Sequence, residues 1–312
     1  MRITIEPQDI SDSGSGVMSP AREHRIGIGH ALVDNFSFEQ AQAAIIEHAR
    51  VGGPTACVIT PNAQHVVLLG ENPSLRDIYR KADLVVPDGV SMLLAARAFG
   101  RRFPERVAGV DLFQSLCERA AACSLKVFLL GGRPGSADLA AAALLKRHLD
   151  LQVETDCPPL GFERDANELN RIAAKIRAAK PQILFVAFGA PKQEYWIFEH
   201  GRHLGVNVCV GVGGSFEMVG GVVPRAPRWI QRLGCEWLYR LFREPSRMWR
   251  RYLIGNAQFL SIVLHQRLRR AIFSALVNLL KSSSFDAELH DANIRTEALE
   301  IMLRLATAEQ FD

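Results

Sequence analysis

The densest chemistry in the chain lies in Arg225 to Arg251, RAPRWIQRLGCEWLYRLFREPSRMWRR. Eight arginines and three tryptophans alternate there with apolar residues, and only Glu236 and Glu244 oppose the charge. Guanidinium groups suit planar, two-point recognition of phosphate or carboxylate, so this stretch reads as the part that holds an anion. A plain solvated basic face is the other reading. Arg225, Arg228, Arg232, Arg240, Arg243, Arg247 and Arg250 would share roughly one stripe of a helix, with Trp229, Leu233, Trp237 and Leu241 on another. Pro245 predicts a break near residues 243–246 and hence two helical pieces.

Further candidates sit at turns. Asp88, between Pro87 and Gly89, has the type and setting of a general base for a substrate hydroxyl. It equally suits an N-cap for the helix that follows through Phe99. Asn62 carries the same ambiguity ahead of residues 63–70. Gly131-Gly132-Arg133-Pro134-Gly135 would let backbone N–H groups approach a phosphate, or simply make a tight turn. Its spacing is not the dinucleotide GxGxxG, and no acidic residue is placed to take a ribose. Arg106 brings a positive charge to a turn before a helix, although a lone arginine is ordinarily a surface residue. Gln193 and Glu194 open a helix, where they bind a substrate or face solvent. The histidines are scattered and no DxD occurs, so no metal is expected.

The elements that must position these residues alternate. Apolar runs at residues 55–60, 84–86, 126–130, 151–155, 182–188 and 206–212 read as strands. Amphipathic runs at 37–50, 74–82, 91–99, 110–122, 136–149, 165–179 and 192–204 read as helices. Strands apolar throughout, separated by helices, predict an α/β fold, a Rossmann-like parallel sheet with helices on both faces. A ligand crevice then lies beyond the carboxyl ends of the strands, where the candidate turns fall. The predicted organisation is a flexible tail over 1–23, an α/β domain over 24–224, an Arg-rich helical appendage over 225–270 and a helical C-terminal extension over 271–312.

The 312 residues, 48% hydrophobic, suffice for a sizeable core. The net charge of +4 is too small for a protein basic throughout, and no nucleic-acid partner is expected. The six cysteines form no CxxC pair and fit a reducing cytosol. Neither a signal peptide nor a transmembrane helix is predicted, since the best apolar run, Tyr252 to Leu264, is short and interrupted by Asn256 and Gln258.

Five ordered motifs together resemble the bacterial WecG/TagA/CpsF family of glycosyltransferases. They are Thr60-Pro61-Asn62, Val86-Pro87-Asp88-Gly89, Arg106-Val107-Ala108-Gly109, Gly189-Ala190-Pro191-Lys192-Gln193-Glu194 and Gly211-Val212-Gly213-Gly214-Ser215-Phe216, followed by the Arg-rich end. The resemblance spans residues 26–267. It implies an inverting transferase that moves a sugar, of N-acetylmannosamine or glucose type, from a UDP-sugar to a polyprenyl-diphosphate-linked saccharide. It further implies work at the cytoplasmic face of an anionic membrane as a peripheral protein, with no cofactor and no metal. On the same grounds Asp88 is the base, Thr60 and Asn62 line the substrate pocket, Arg106 and Gln193 position substrate, and Arg240, Arg247 and Arg250 close over the diphosphate. A homo-oligomer is compatible with this reading. The alternatives are a nucleotide-sugar oxidoreductase or epimerase, which needs bound NAD, and a non-catalytic binder of anionic lipid.

Overall fold

A computed structural model describes residues 25–232 and 234–281. The chain begins with a short antiparallel hairpin, β1 (Ile26–Ile28) and β2 (Ala31–Val33), turning at Gly29 and His30. There follow α1 (Phe38–Val51), β3 (Ala56–Ile59), α2 (Ala63–Glu71), α3 (Pro73–Lys81), β4 (Leu84–Val85), α4 (Val90–Ala98), α5 (Gly109–Ala122), β5 (Lys126–Gly131), α6 (Ser136–Leu145) and β6 (Gln152–Asp156). The domain closes with α7 (Ala166–Ala179), β7 (Ile183–Ala187), α8 (Lys192–Glu199), β8 (Val208–Gly211) and α9 (Ser215–Val219).

The six main strands form one parallel sheet in the order β4-β3-β8-β7-β5-β6. Period-two alternation sends successive side chains to opposite faces. Val127, Leu129, Phe185 and Val210 meet Ile45 of α1, Phe113 of α5 and Ala140 of α6 on one face, where Phe113 stands edge-on to Phe185 at 4.8 Å. Phe128, Leu130, Leu184 and Cys209 meet Ile172 of α7 and Trp196 of α8 on the other. Beside that second layer, the hairpin, α2, α3 and α4 pack over Ile59 and Val85. The fully buried β3, β7 and β8 explain why these strands read as apolar throughout.

The predicted α/β architecture is therefore present. α6 stops at Leu145, four residues before the predicted end, and Leu149 points to solvent at 86% exposure. α8 stops at Glu199, short of the predicted end at 204, and yields to a 3₁₀ turn at Gly201–His203, where Gly201 packs against the sulfur of Cys209 and a Cβ would come within 3.1 Å. The β1–β2 hairpin was not predicted, since strands of three residues give too little pattern to read.

The basic segment folds as α10 (Arg228–Arg232), α11 (Glu236–Arg243), α12 (Pro245–Trp249), a π-helical turn (Arg250–Ile254) and α13 (Gly255–Lys281). Pro245 starts α12, as its missing N–H favours, so the predicted break stands. A second break was not predicted: the backbone turns at Gly234, which packs against Val90 of α4. The arginines consequently share no single stripe. α13 lies on α2 and on the hairpin, where Gln266 accepts the N–H of Gly29 at 2.9 Å. It runs unbroken across Arg270 and Ala271. The predicted tails over 1–23 and beyond residue 281 lie outside the described residues.

Candidate active site

Three of the motif turns are stitched together at the carboxyl edge of the sheet. The N–H of Asp88 donates to the Pro61 carbonyl at 2.8 Å, and the N–H of Val107 donates to the Pro87 carbonyl at 2.9 Å. The Asp88 carboxylate accepts the N–H of Gly109, the first residue of the 14-residue helix α5, and so meets that helix at its positive end. A Cβ at Gly109 would lie 3.1 Å from Thr60 Oγ1 and 3.7 Å from Asp88 Oδ2, so Thr60, Asp88 and the start of α5 share one small space. Asp88 does not cap α4, whose N-cap is Gly89 without any side-chain bond.

Burial drives the Asp88 carboxyl up to about 6; Arg106 pulls it down, Glu236 pushes it up, and the Gly109 N–H and His65 pull it down. A carboxylate of that basicity is ionised at neutral pH yet takes a proton more readily than an ordinary aspartate.

Arg106 does not stand alone. Its Nη1 lies 3.4 Å from Glu236 Oε2 of α11, and its Nη2 lies 3.9 Å from Asp111 Oδ2 of α5. Arg225 grips the same Asp111 with bonds of 2.6 and 2.7 Å and approaches Glu236 at 3.8 Å. Two arginines and two carboxylates thus form one network between the core and the appendage, beside Asp88.

Gln193 and Glu194 do not face solvent, being 4% and 2% exposed. Gln193 accepts the N–H of Gly213 at 3.0 Å and donates to Glu194 at 2.9 Å, bridging the loops after β7 and β8. Asn62 is a true cap: its side chain accepts the N–H of Gln64 at 3.0 Å, and His65 returns a bond to the Asn62 N–H.

On the other side of β8, the N–H of Arg133 in the glycine-rich turn donates to Glu217 Oε1 at 2.9 Å, and its guanidinium bonds Glu244 at 2.8 Å. Glu217 Oε2 is buried without a hydrogen-bond partner. A Cβ at Gly214 would fall 3.6 Å from Arg240 Nη2 and 3.7 Å from that same oxygen, which brings Arg240 to the crevice. Arg250 is not drawn in with the others: it is exposed, with its guanidinium 5.2 Å from the ring of Trp249. The side chain of Arg247 lies outside the described residues. Asp111, Glu217 and His65 carry no signal in the sequence. Glu236 and Glu244 do, as the two acids set among eight arginines. Among the described residues no cluster of three or more His, Cys, Asp or Glu is placed to hold a metal.

A Rossmann-like sheet whose crevice sets a carboxylate of raised basicity among guanidinium groups has the makings of a group-transfer site for an anionic substrate. The chain belongs to the glycosyl transferase WecG/TagA/CpsF family, whose sequence model matches residues 26–272. It is similar to a Bacillus spizizenii (strain W23) protein named N-acetylglucosaminyldiphosphoundecaprenol N-acetyl-beta-D-mannosaminyltransferase, at 33% identity over 220 residues, covering 68% of this chain and 80% of the relative. The protein is thus a glycosyltransferase of the hexosyl-transferring kind, and the oxidoreductase and non-catalytic readings fall away.

Proposed function

We propose that the enzyme moves a sugar of N-acetylmannosamine or glucose type from a UDP-sugar to a hydroxyl of a polyprenyl-diphosphate-linked saccharide, with inversion at the anomeric carbon, in bacterial cell-surface polysaccharide synthesis. The name of the Bacillus relative supports an N-acetylmannosamine donor and an N-acetylglucosaminyl-diphosphate lipid acceptor. The observation that carries the reading is Asp88, held at the start of α5 beside Thr60 with its carboxyl at about 6.

In this mechanism Asp88 removes the acceptor hydroxyl proton as that oxygen bonds to the anomeric carbon. The bond from the anomeric carbon to the diphosphate oxygen breaks, and its electron pair leaves with UDP. Arg106 and Arg240 border the crevice where that negative charge grows, and such fixed charges can stabilise a departing diphosphate without a metal. Arg247 and Arg250 join them when the appendage tightens on the donor. Asn62 and Gln193 shape the pocket through the loops they fix.

The acceptor's lipid places the work at a membrane. No described helix is long and apolar enough to cross one. The appendage exposes Trp229, Trp237, Phe242 and Trp249, and α13 exposes Leu260, Leu264, Leu268 and Ile272 at four-residue steps. Exposed aromatic rings and arginines in the appendage suit peripheral binding to anionic lipid, on the cytoplasmic face. The test is release of UDP from UDP-N-acetylmannosamine with a short-chain N-acetylglucosaminyl-diphosphate lipid. Asp88→Ala should stay folded and lose transfer; full activity in that variant removes Asp88 as the base.

A further inference from the structure

Beneath the crevice runs a buried line of polar groups that the transfer step does not itself use. His65, the third residue of α2, is 6% exposed, and Glu194, the third residue of α8, is 2% exposed. Nδ1 of His65 accepts the backbone N–H of Asn62 at 3.2 Å. With Nδ1 so engaged, the other ring nitrogen, Nε2, faces Glu194 Oε1 at 3.6 Å. The same Oε1 accepts from Gln193 Nε2 at 2.9 Å, and Gln193 Oε1 accepts the N–H of Gly213 at 3.0 Å. A line of polar contacts, Asn62–His65–Glu194–Gln193–Gly213, hydrogen-bonded at every step except the 3.6 Å approach of His65 to Glu194, therefore links the loops that follow β3, β7 and β8.

This line is a poor device for stability. Glu194 Oε2 is buried without a hydrogen-bond partner, as is the hydroxyl of Tyr79. Burial first, and then the charge of Glu194, push the Tyr79 hydroxyl pKa well above its usual value. An interior carboxylate with one oxygen left unpaired costs stability that an apolar side chain of similar size would not. What the carboxylate does accomplish is directional. It faces the His65 ring at 3.6 Å at the start of α2, and its hydrogen bond holds the Gln193 amide with its oxygen toward Gly213. Gln193 could otherwise turn its amide over, presenting nitrogen to the Gly213 N–H, and the close fit of Gly211 against that side chain leaves little room for intermediate positions.

We infer that His65 and Glu194 are positioning residues of the transfer reaction, acting as one unit that keeps the Thr60–Asn62 loop and the Gln193 loop in fixed register beside the catalytic carboxylate. The inference rests on the reading of Asp88 as the base. Neither residue touches the reacting atoms. Their influence passes through Asn62 and Gln193, and a loop displaced by about 1 Å can cost on the order of a hundredfold in rate.

The experiment uses the full chain with UDP-N-acetylmannosamine and the lipid-diphosphate acceptor, and compares Glu194→Gln, His65→Asn and the double variant. Glu194→Gln keeps size and an acceptor oxygen but removes the charge. His65→Asn keeps an acceptor for the Asn62 N–H but no longer reaches Glu194. Each single variant should lose roughly ten- to a hundredfold in kcat with donor KM within about threefold, and the double should be no worse than the poorer single, because both break the same line. Melting temperatures should be unchanged, or raised for Glu194→Gln. A kcat within twofold of the parent in both singles, or losses that multiply in the double variant, overturns the unit. If His65→Asn fails to fold, the split between kcat and KM in Glu194→Gln decides alone. Asp88→Asn serves as the reference: activity there sinks the site itself, whereas a dead Asp88→Asn beside fully active His65 and Glu194 variants sinks only the positioning role.

Discussion

Arg225 clamps Asp111 through paired hydrogen bonds of 2.6 and 2.7 Å, joining the first arginine of the appendage to the first turn of α5. The same helix presents the Gly109 N–H to Asp88. Appendage and Asp88 therefore lean on the same helix start, and the charges of Glu236 and Arg106 bear directly on the Asp88 carboxyl.

Asp111→Asn should loosen the appendage without unfolding the core. The Asp111 side chain is 40% exposed, so solvent screening limits the loss to about 1 kcal/mol. Donor KM should rise about fivefold, and limited proteolysis should cut sooner between residues 220 and 235. An unchanged KM with unchanged proteolysis would show that the clamp does not hold the appendage to the donor site.

The pH dependence of kcat/KM tests Asp88 as the proposed base. With burial, the largest influence, holding the Asp88 carboxyl at about 6, the rate should fall tenfold per unit below that pH. Arg106 lowers this pKa and Glu236 raises it. Arg106→Gln should therefore move the acidic limb to higher pH and Glu236→Gln to lower pH. Shifts of the same sign in both variants would place the titrating group elsewhere.

Membrane association should depend on both charge and rings. Vesicles containing anionic lipid should pellet the enzyme at low salt and release it as salt rises, each arginine near the surface contributing about 1 kcal/mol. Changing Trp229 and Phe242, 64% and 76% exposed, to serine should weaken pelleting while leaving turnover on a short-chain soluble acceptor intact. Retention of the serine variant on the vesicles would assign the surface to something else.

Much of the fold was legible because a parallel sheet forces a pattern: strands buried on both faces are apolar throughout, and every loop that can touch ligand follows one of them. Thr60, Asp88 and Gln193 fall after β3, β4 and β7 for this reason. What spacing could not decide was where a polar side chain turns. Asp88 and Asn62 both precede helices, yet Asn62 folds back onto its own helix while Asp88 reaches the start of α5. The partners of the arginines were equally hidden, since Glu236 and Arg106 meet across 130 residues of chain. The basic stretch read as two helical pieces broken only near Pro245 because its arginine spacing ignores Gly234, where contact with Val90 rather than local propensity fixes the turn.

The raised basicity of Asp88 has a consequence for stability that is separable from catalysis. The carboxyl is lifted from 3.8 to about 6 in the folded chain, so between those values the native state holds a proton that the unfolded state has released. Its contribution to stability is whole below pH 3.8 and is lost as pH rises through about 6, above which an ionised Asp88 costs on the order of 3 kcal/mol. Asparagine keeps the shape and the acceptor for the Gly109 N–H but never ionises. Asp88→Asn should accordingly match the parent in denaturant stability at pH 4 and exceed it at pH 8, while losing transfer. A gain of equal size at both pH values would assign the effect to packing rather than to charge, and a loss at pH 8 would mean that Arg106 needs the Asp88 carboxylate more than the interior resists it.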